Sequence, residues 1–250
     1  MSKARAILIA GLLLTWTSVW AADPPPPIPA GARIGIIDMM SSDVTHFHVG
    51  KAPVNSFMRT YRGPLSLSEV IDEPLIWSLT NAGFEPVAVA PTELLRRQKQ
   101  AWIITTNDSN KLPRACNEEL DRLMTDQNLI ALIIVAAGPN TNPESVEGNR
   151  LRKLPNYVQG WGFSTSDEPE GTTKPVVFNL TQMLLVHKTT DNTRLEYREW
   201  GGSYVYEWSN FSPGPDLKTL PDAEIAKFRP VIADVMKRQI ARLMPHIKPE

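Results

Sequence analysis

Two imidazoles two residues apart, His46 and His48, follow closely on two carboxylates, Asp38 and Asp43. A His-x-His pair on an extended segment points both rings to one side, and with a nearby carboxylate it offers the nitrogen and oxygen donors that zinc or another divalent metal takes. No third histidine lies close in sequence and the ligand spacing is incomplete. A hydrogen-bonded or solvated loop is therefore the competing reading of the same residues, and the favoured one. Asp38 is the most persuasive single residue, because an ionisable group that ends a buried apolar run costs free energy unless it finds a partner. It falls where open α/β sheets place their ligands, although a carboxylate that caps or ties a loop fits the same position.

Other chemistry is thinly represented. There is no Gly-x-Ser-x-Gly elbow, and the single cysteine, Cys116, lies on an apolar helical stripe where a buried, inert thiol is expected. Gly31 and Gly35 do not form a Gly-x-Gly-x-x-Gly loop and nothing resembles Gly-Lys-Ser/Thr, which excludes the common nucleotide-binding signatures. The carboxylates Asp72, Glu73, Glu118 and Glu119 fall in helical segments, and Asp167, Glu168 and Glu170 in a loop. A second group is aromatic: Tyr157, Trp161, Trp200, Tyr204, Tyr206, Trp208 and Phe211 concentrate in the second half of the chain. Strand alternation puts Tyr204, Tyr206 and Trp208 on one face, which can stack on sugar rings or meet a protein partner. The same face can instead pack as a cross-strand cluster beneath a helix, and that reading is preferred.

The elements that must position these residues follow from periodicity. Arg33–Met40 reads as a strand buried on both faces. Ser41–Pro64 reads as a long polar loop of the kind that often carries function; on that reading, replacing His46 and His48 together with alanine leaves folding intact. A helix is expected from Ser66, with Glu69 at capping-box spacing, to Gly83, interrupted or restarted at Pro74. Phe84–Ala90 forms a strand, Thr92 caps a short helix through Gln100, Pro113–Gln127 forms a helix, and Leu129–Ala137 forms the most deeply buried strand. Tyr157–Phe163, Pro175–Lys188 and Arg194–Glu207 read as strands, the last two joined by a turn at residues 189–192 with a bend at Gly201 and Gly202. A terminal helix spans Asp222–Leu243, its apolar positions advancing by threes and fours to cover a sheet face. The fold class is α/β with α+β character in the second half: βαβαβ, then a β-hairpin and a C-terminal helix on a mixed sheet, in a two-layer or three-layer sandwich.

Ahead of this, Lys3 and Arg5 precede the apolar run Ala6–Trp16 and the small residues around Ala21, the layout of a cleavable export signal cut after Ala21. Residues 22–32 form a proline-rich extended leader, and residues 33–250 a single domain. Loss of Lys3 and Arg5 lowers the basic count from 26 to 24 against 27 acidic residues, a net charge of about −3 that argues against tight nucleic-acid binding. One cysteine cannot form an internal disulfide framework. The Asn179 sequon lies in an expected strand, which favours a bacterial periplasm over a eukaryotic secretory route.

The element order resembles the periplasmic α/β domains of curli-secretion, exopolysaccharide-secretion and peptidoglycan-synthase-activator lipoproteins, and the N-terminal domain of the Tol–Pal periplasmic protein. That resemblance implies an envelope adaptor or assembly factor; the cysteine that lipoproteins carry after their cleavage site is absent here, so no stable membrane anchor is expected. The first expectation is an exported, non-enzymatic protein without a cofactor that binds a protein or glycan partner. The alternative is a metal-binding protein or metal-dependent hydrolase built on Asp38, Asp43, His46 and His48. A purely structural secreted domain is the third.

Overall fold

The computed structural model describes residues 27–97, 104–106, 109–111, 113–138, 158–167, 175–188, 193–200, 206–208, 210–212 and 216–247. The expected export signal, residues 22–26 of the expected leader, the turn at 189–192 and the glycines at 201 and 202 lie outside these residues; the rest of the expected leader is described, with Ile28 buried in the main core and Gly31 N donating to Gly83 O at 2.8 Å. The architecture is mixed α/β, as read from the sequence. Its strands are β1 (Arg33–Asp38), β2 (Val44–Val49), β3 (Phe57–Tyr61), β4 (Glu85–Ala88), β5 (Ile104–Thr106), β6 (Ser109–Lys111), β7 (Ala131–Ala137), β8 (Gly160–Ser166), β9 (Val176–Lys188), β10 (Thr193–Trp200) and β11 (Tyr206–Glu207). Its helices are α1 (Glu73–Asn81), α2 (Glu93–Arg97), α3 (Arg114–Asp126), α4 (Asp222–Ala226) and α5 (Phe228–Leu243).

The main sheet runs β3-β2-β8-β9-β7-β1-β4, with β10 and β11 also paired to β9. Strands β4, β1 and β7 are parallel, as the strand–helix–strand order requires, whereas β9 is antiparallel to both β7 and β8. β9 is long enough to serve two neighbours in succession: Val176–Leu180 pairs with β8 and Thr181–His187 with β7. Val177 is partnered by both Phe163 and Tyr206, and Gln182 by both Ala136 and Trp200. Each half of β9 is thus bordered on both edges, and core clusters on both of its faces explain its near-continuous apolar sequence.

Helices cover both faces around β1 and β7, giving three layers there. On one face Ile34, Ile36, Ile133, Val135, Met183 and Leu185 join side chains of α1 and α5. On the other, Ile37, Leu132, Ile134, Leu184 and Val186 join Leu95 of α2 and Cys116, Leu120, Leu123 and Met124 of α3. Cys116 is fully buried and burial pushes its thiol up, in keeping with an inert packing role. Among the described residues no helix is long and apolar enough to cross a membrane.

The segment 41–64 departs from the expected loop. It forms the antiparallel pair β2–β3, and β2 also runs parallel to β8. The alternating pattern was hidden because, beside Val44, its core-facing positions carry His46 and His48, both buried, where apolar residues are usual. Proline 74 acts as expected: a π-helical turn over Ser68–Asp72 precedes it and α1 restarts with Pro74 in its first turn. The helix stops at Gly83, whose φ of +86° suits glycine. The terminal helix is broken in two, α4 and α5, and α2 is described only to Arg97.

Candidate functional site

A crevice of about 410 Å³ opens where the parallel strands β1 and β7 end, lined by Asp38, Met39, Met40, Leu95, Arg96 and Gln159 among others. This is the carboxyl edge of the sheet, where side chains and loops leave room that regular strands deny. Asp38 Oδ1 accepts a 2.8 Å hydrogen bond from the Met40 backbone N–H, which tightens the turn leaving β1. Burial pushes the carboxyl up to about 6, partly opposed by that bond and reinforced by the nearby Asp72 charge. The Arg96 guanidinium is held by its Nε, which donates to Pro91 O at 3.2 Å. Arg96 and Gln159 both line the crevice.

Asp43 lies elsewhere and ties loops. Its Oδ1 accepts from Gly63 N at 3.1 Å, and its carbonyl accepts from Trp161 Nε1 at 2.9 Å. The two histidines form a third locale on the inward face of β2. His46 Nε2 and His48 Nδ1 each lie 2.8 Å from the Thr165 hydroxyl of β8, and His48 Nε2 lies 3.4 Å from Asp167 Oδ1. One hydroxyl proton cannot serve two rings. When the His48 ring carries a single proton, the acceptor-only carboxylate places it on Nε2, and Thr165 then donates to His48 Nδ1 and accepts from His46 Nε2–H. His46 Nδ1 then remains buried without a hydrogen-bond partner among the described residues. Burial, with smaller contributions from His48 and Arg59, pushes His46 down to about 3 and keeps it neutral. The ring is sandwiched instead by aromatics, stacked on Phe163 with centroids 4.4 Å apart and edge-on to Phe57 at 5.1 Å.

Asp38, Asp43, His46 and His48 are therefore divided among three tasks. Among the described residues no three His, Cys, Asp or Glu side chains are grouped to hold a metal ion. Two of the aromatic candidates pack in the core: Trp161 is 1% exposed and Trp208 2%. Trp208 meets Phe163, Phe211 and Phe228, so these rings form the cross-strand cluster under a helix rather than an open binding face. Trp200 and Tyr206 are placed only by backbone, in β10 and β11, and Tyr157 and Tyr204 lie outside the described residues.

The aromatic that sequence reading missed is Trp77, on the outer side of α1 and 69% exposed. It stands in a groove of about 670 Å³ between α1 and α5. Its signal was present: Trp77 falls off the Leu75–Leu79 stripe that points to the core. Arg96 and Gln159 were also missed, because only the crossover of the chain brings them to Asp38.

No family model matches the chain, and no curated protein is similar to it. Among solved structures, a single-substitution variant of the PelC dodecamer from Paraburkholderia phytofirmans is similar at 10% identity over 85% of this chain and 90% of that chain. The TM-score is 0.24, a likeness too distant to bear on function.

Proposed function

We propose that this protein is an exported, non-enzymatic component of a bacterial cell envelope that binds the end of a glycan chain in the Asp38 crevice. The observation that carries the reading is the composition of that crevice. Asp38 can accept from neighbouring hydroxyls, Arg96 can donate in a fork, and Gln159 can do both, while Met39, Met40 and Leu95 offer apolar surface to the C–H face of a sugar ring. A volume of about 410 Å³ takes a compact ligand rather than a folded domain. The export-signal layout at the N-terminus and the resemblance to envelope lipoproteins read from the sequence are what support the compartment.

The test is calorimetric titration of the mature protein with a panel of hexose, hexosamine and uronic-acid oligosaccharides, beside the Asp38→Ala and Arg96→Ala variants. Saturable binding to one class, weakened about tenfold or more in each variant, supports the reading. No binding across the panel, or binding indifferent to both substitutions, sinks it and leaves a protein partner as the alternative. Fractionation with the native leader checks export: an uncut cytoplasmic product contradicts it.

A further inference from the structure

We infer that the groove between α1 and α5 is a self-association surface, occupied by the same groove of a second copy of this chain. Its walls are Pro74 and Trp77 on α1 and Ile240 and Ala241 on α5. Trp77 stands 69% exposed at the lip of a hollow that lies beside it on the same face. A knob and a hole on one patch are what a two-fold interface requires, since each surface must complement itself. Turning a second copy about an axis through the groove sets α1 of one molecule against α5 of the other and brings each Trp77 over the opposite hollow.

Charge agrees with that pairing. Glu69 is already ion-paired with Arg229, whereas Glu73 on the α1 wall and Lys237 on the α5 wall carry no ion pair among the described residues. In the two-fold arrangement Glu73 of each copy faces Lys237 of the other, so both charges gain an ion pair that the described residues of one copy do not supply, Glu73 having there only the 3.2 Å hydrogen bond from Ser68 Oγ. The size is adequate and modest. The 16 residues of α5 extend about 24 Å, and a helix pair of that length covers roughly 500 Å² per copy, near the lower limit for a specific interface. A dimer held in the micromolar range is therefore expected, anchored by Trp77 as a central aromatic.

The experiment is sedimentation equilibrium of the mature protein across roughly 2 to 200 µM, with variants confirmed folded by circular dichroism. Expected are a monomer–dimer equilibrium, a dissociation constant raised about tenfold or more by Trp77→Ala, and weakening of about fivefold by Glu73→Lys or Lys237→Glu alone. Combining Glu73→Lys with Lys237→Glu should return the constant to within about twofold of wild type, which a merely structural effect of either residue would not do. A monomer at every concentration overturns the proposal and leaves the groove to another occupant, as does a dimer indifferent to Trp77→Ala or a charge swap that fails to restore association. Glycan binding at Asp38 is read separately, so failure of one proposal does not carry the other.

Discussion

The ring of His46 on β2 lies 2.8 Å through Nε2 from the hydroxyl of Thr165 on β8, and both residues are buried. This bond crosses two parallel strands whose register pairs His46 with Phe163. It also shares its oxygen with His48. Removing the hydroxyl would leave His46 with no hydrogen bond among the described residues and His48 with only the Asp167 carboxylate at 3.4 Å. Thr165→Val should cost about 3 kcal/mol in urea denaturation, whereas Thr165→Ser should stay within about 1 kcal/mol. Equal losses in the two variants would show that shape, not the hydroxyl, matters. By the same argument the double alanine replacement of His46 and His48, harmless if the segment were a loop, should destabilise strongly.

Acid should unfold the protein through His46. Its folded value of about 3 lies below the ordinary 6.5, so between these limits the unfolded chain binds the proton that the folded chain refuses. The stability of the neutral ring is complete above pH 6.5 and is lost as pH falls towards 3, by on the order of 4 kcal/mol. The measurement is unfolding free energy against pH for wild type and His46→Gln, whose amide can still donate to Thr165. Parallel curves from pH 6.5 to 3 would contradict the assignment.

Asp38 works in the opposite sense. Its folded carboxyl, raised from 3.8 to about 6, holds a proton that the unfolded chain releases. Ionisation therefore subtracts stability as pH rises from about 4 to 6, by up to about 3 kcal/mol, and the loss persists above pH 6. Asp38→Asn keeps an oxygen for the Met40 N–H and removes the charge. It should stabilise the protein at pH 7.5, leave it nearly unchanged at pH 4, and weaken ligand binding in the crevice, the usual opposition of stability and function. Thermal melts at both pH values decide it; equal shifts at both would mean that charge is not the cause.

Gly162 is needed for close approach rather than for turning. It pairs with Thr45 in the β2–β8 register, and a Cβ there would meet the Thr45 carbonyl oxygen and the Phe178 ring. Backbone cannot yield as a flexible side chain can, so Gly162→Ala should cost more than about 3 kcal/mol. Chemical denaturation checks this, and a loss below about 1 kcal/mol would show that the strands separate easily.

The polar knot between α5 and β9 offers a fifth test. Thr181 Oγ1 and Asn179 Nδ2 both donate to Gln239 Oε1, at 2.9 and 3.2 Å, and all three residues are buried. Gln239→Met removes the shared acceptor and should cost about 2–3 kcal/mol, because two buried donors lose their partner. If the stability is unchanged, water or Met236 has replaced the amide.

Sequence alone determined the elements whose partners are near in the chain or whose faces are uniformly apolar. The stripe Cys116, Leu120, Leu123 and Met124 had to be a helix, and Leu129–Ala137 had to contain a buried strand, because nothing else repeats with those periods. Pro74 and Gly83 marked their backbone positions by covalent geometry. Asp38 was legible as a charge ending an apolar run. The tertiary structure decided everything that depended on contacts distant in sequence. It made β2 a core strand by giving His46 and His48 a hydroxyl 117 to 119 residues away, which no local pattern can announce. It scattered the four candidate metal ligands among three locales, buried Trp161 and Trp208, and left Trp77 on the surface. Burial and hydrogen-bond satisfaction are properties of the packed chain, and residue types fix only what must be satisfied, not by whom.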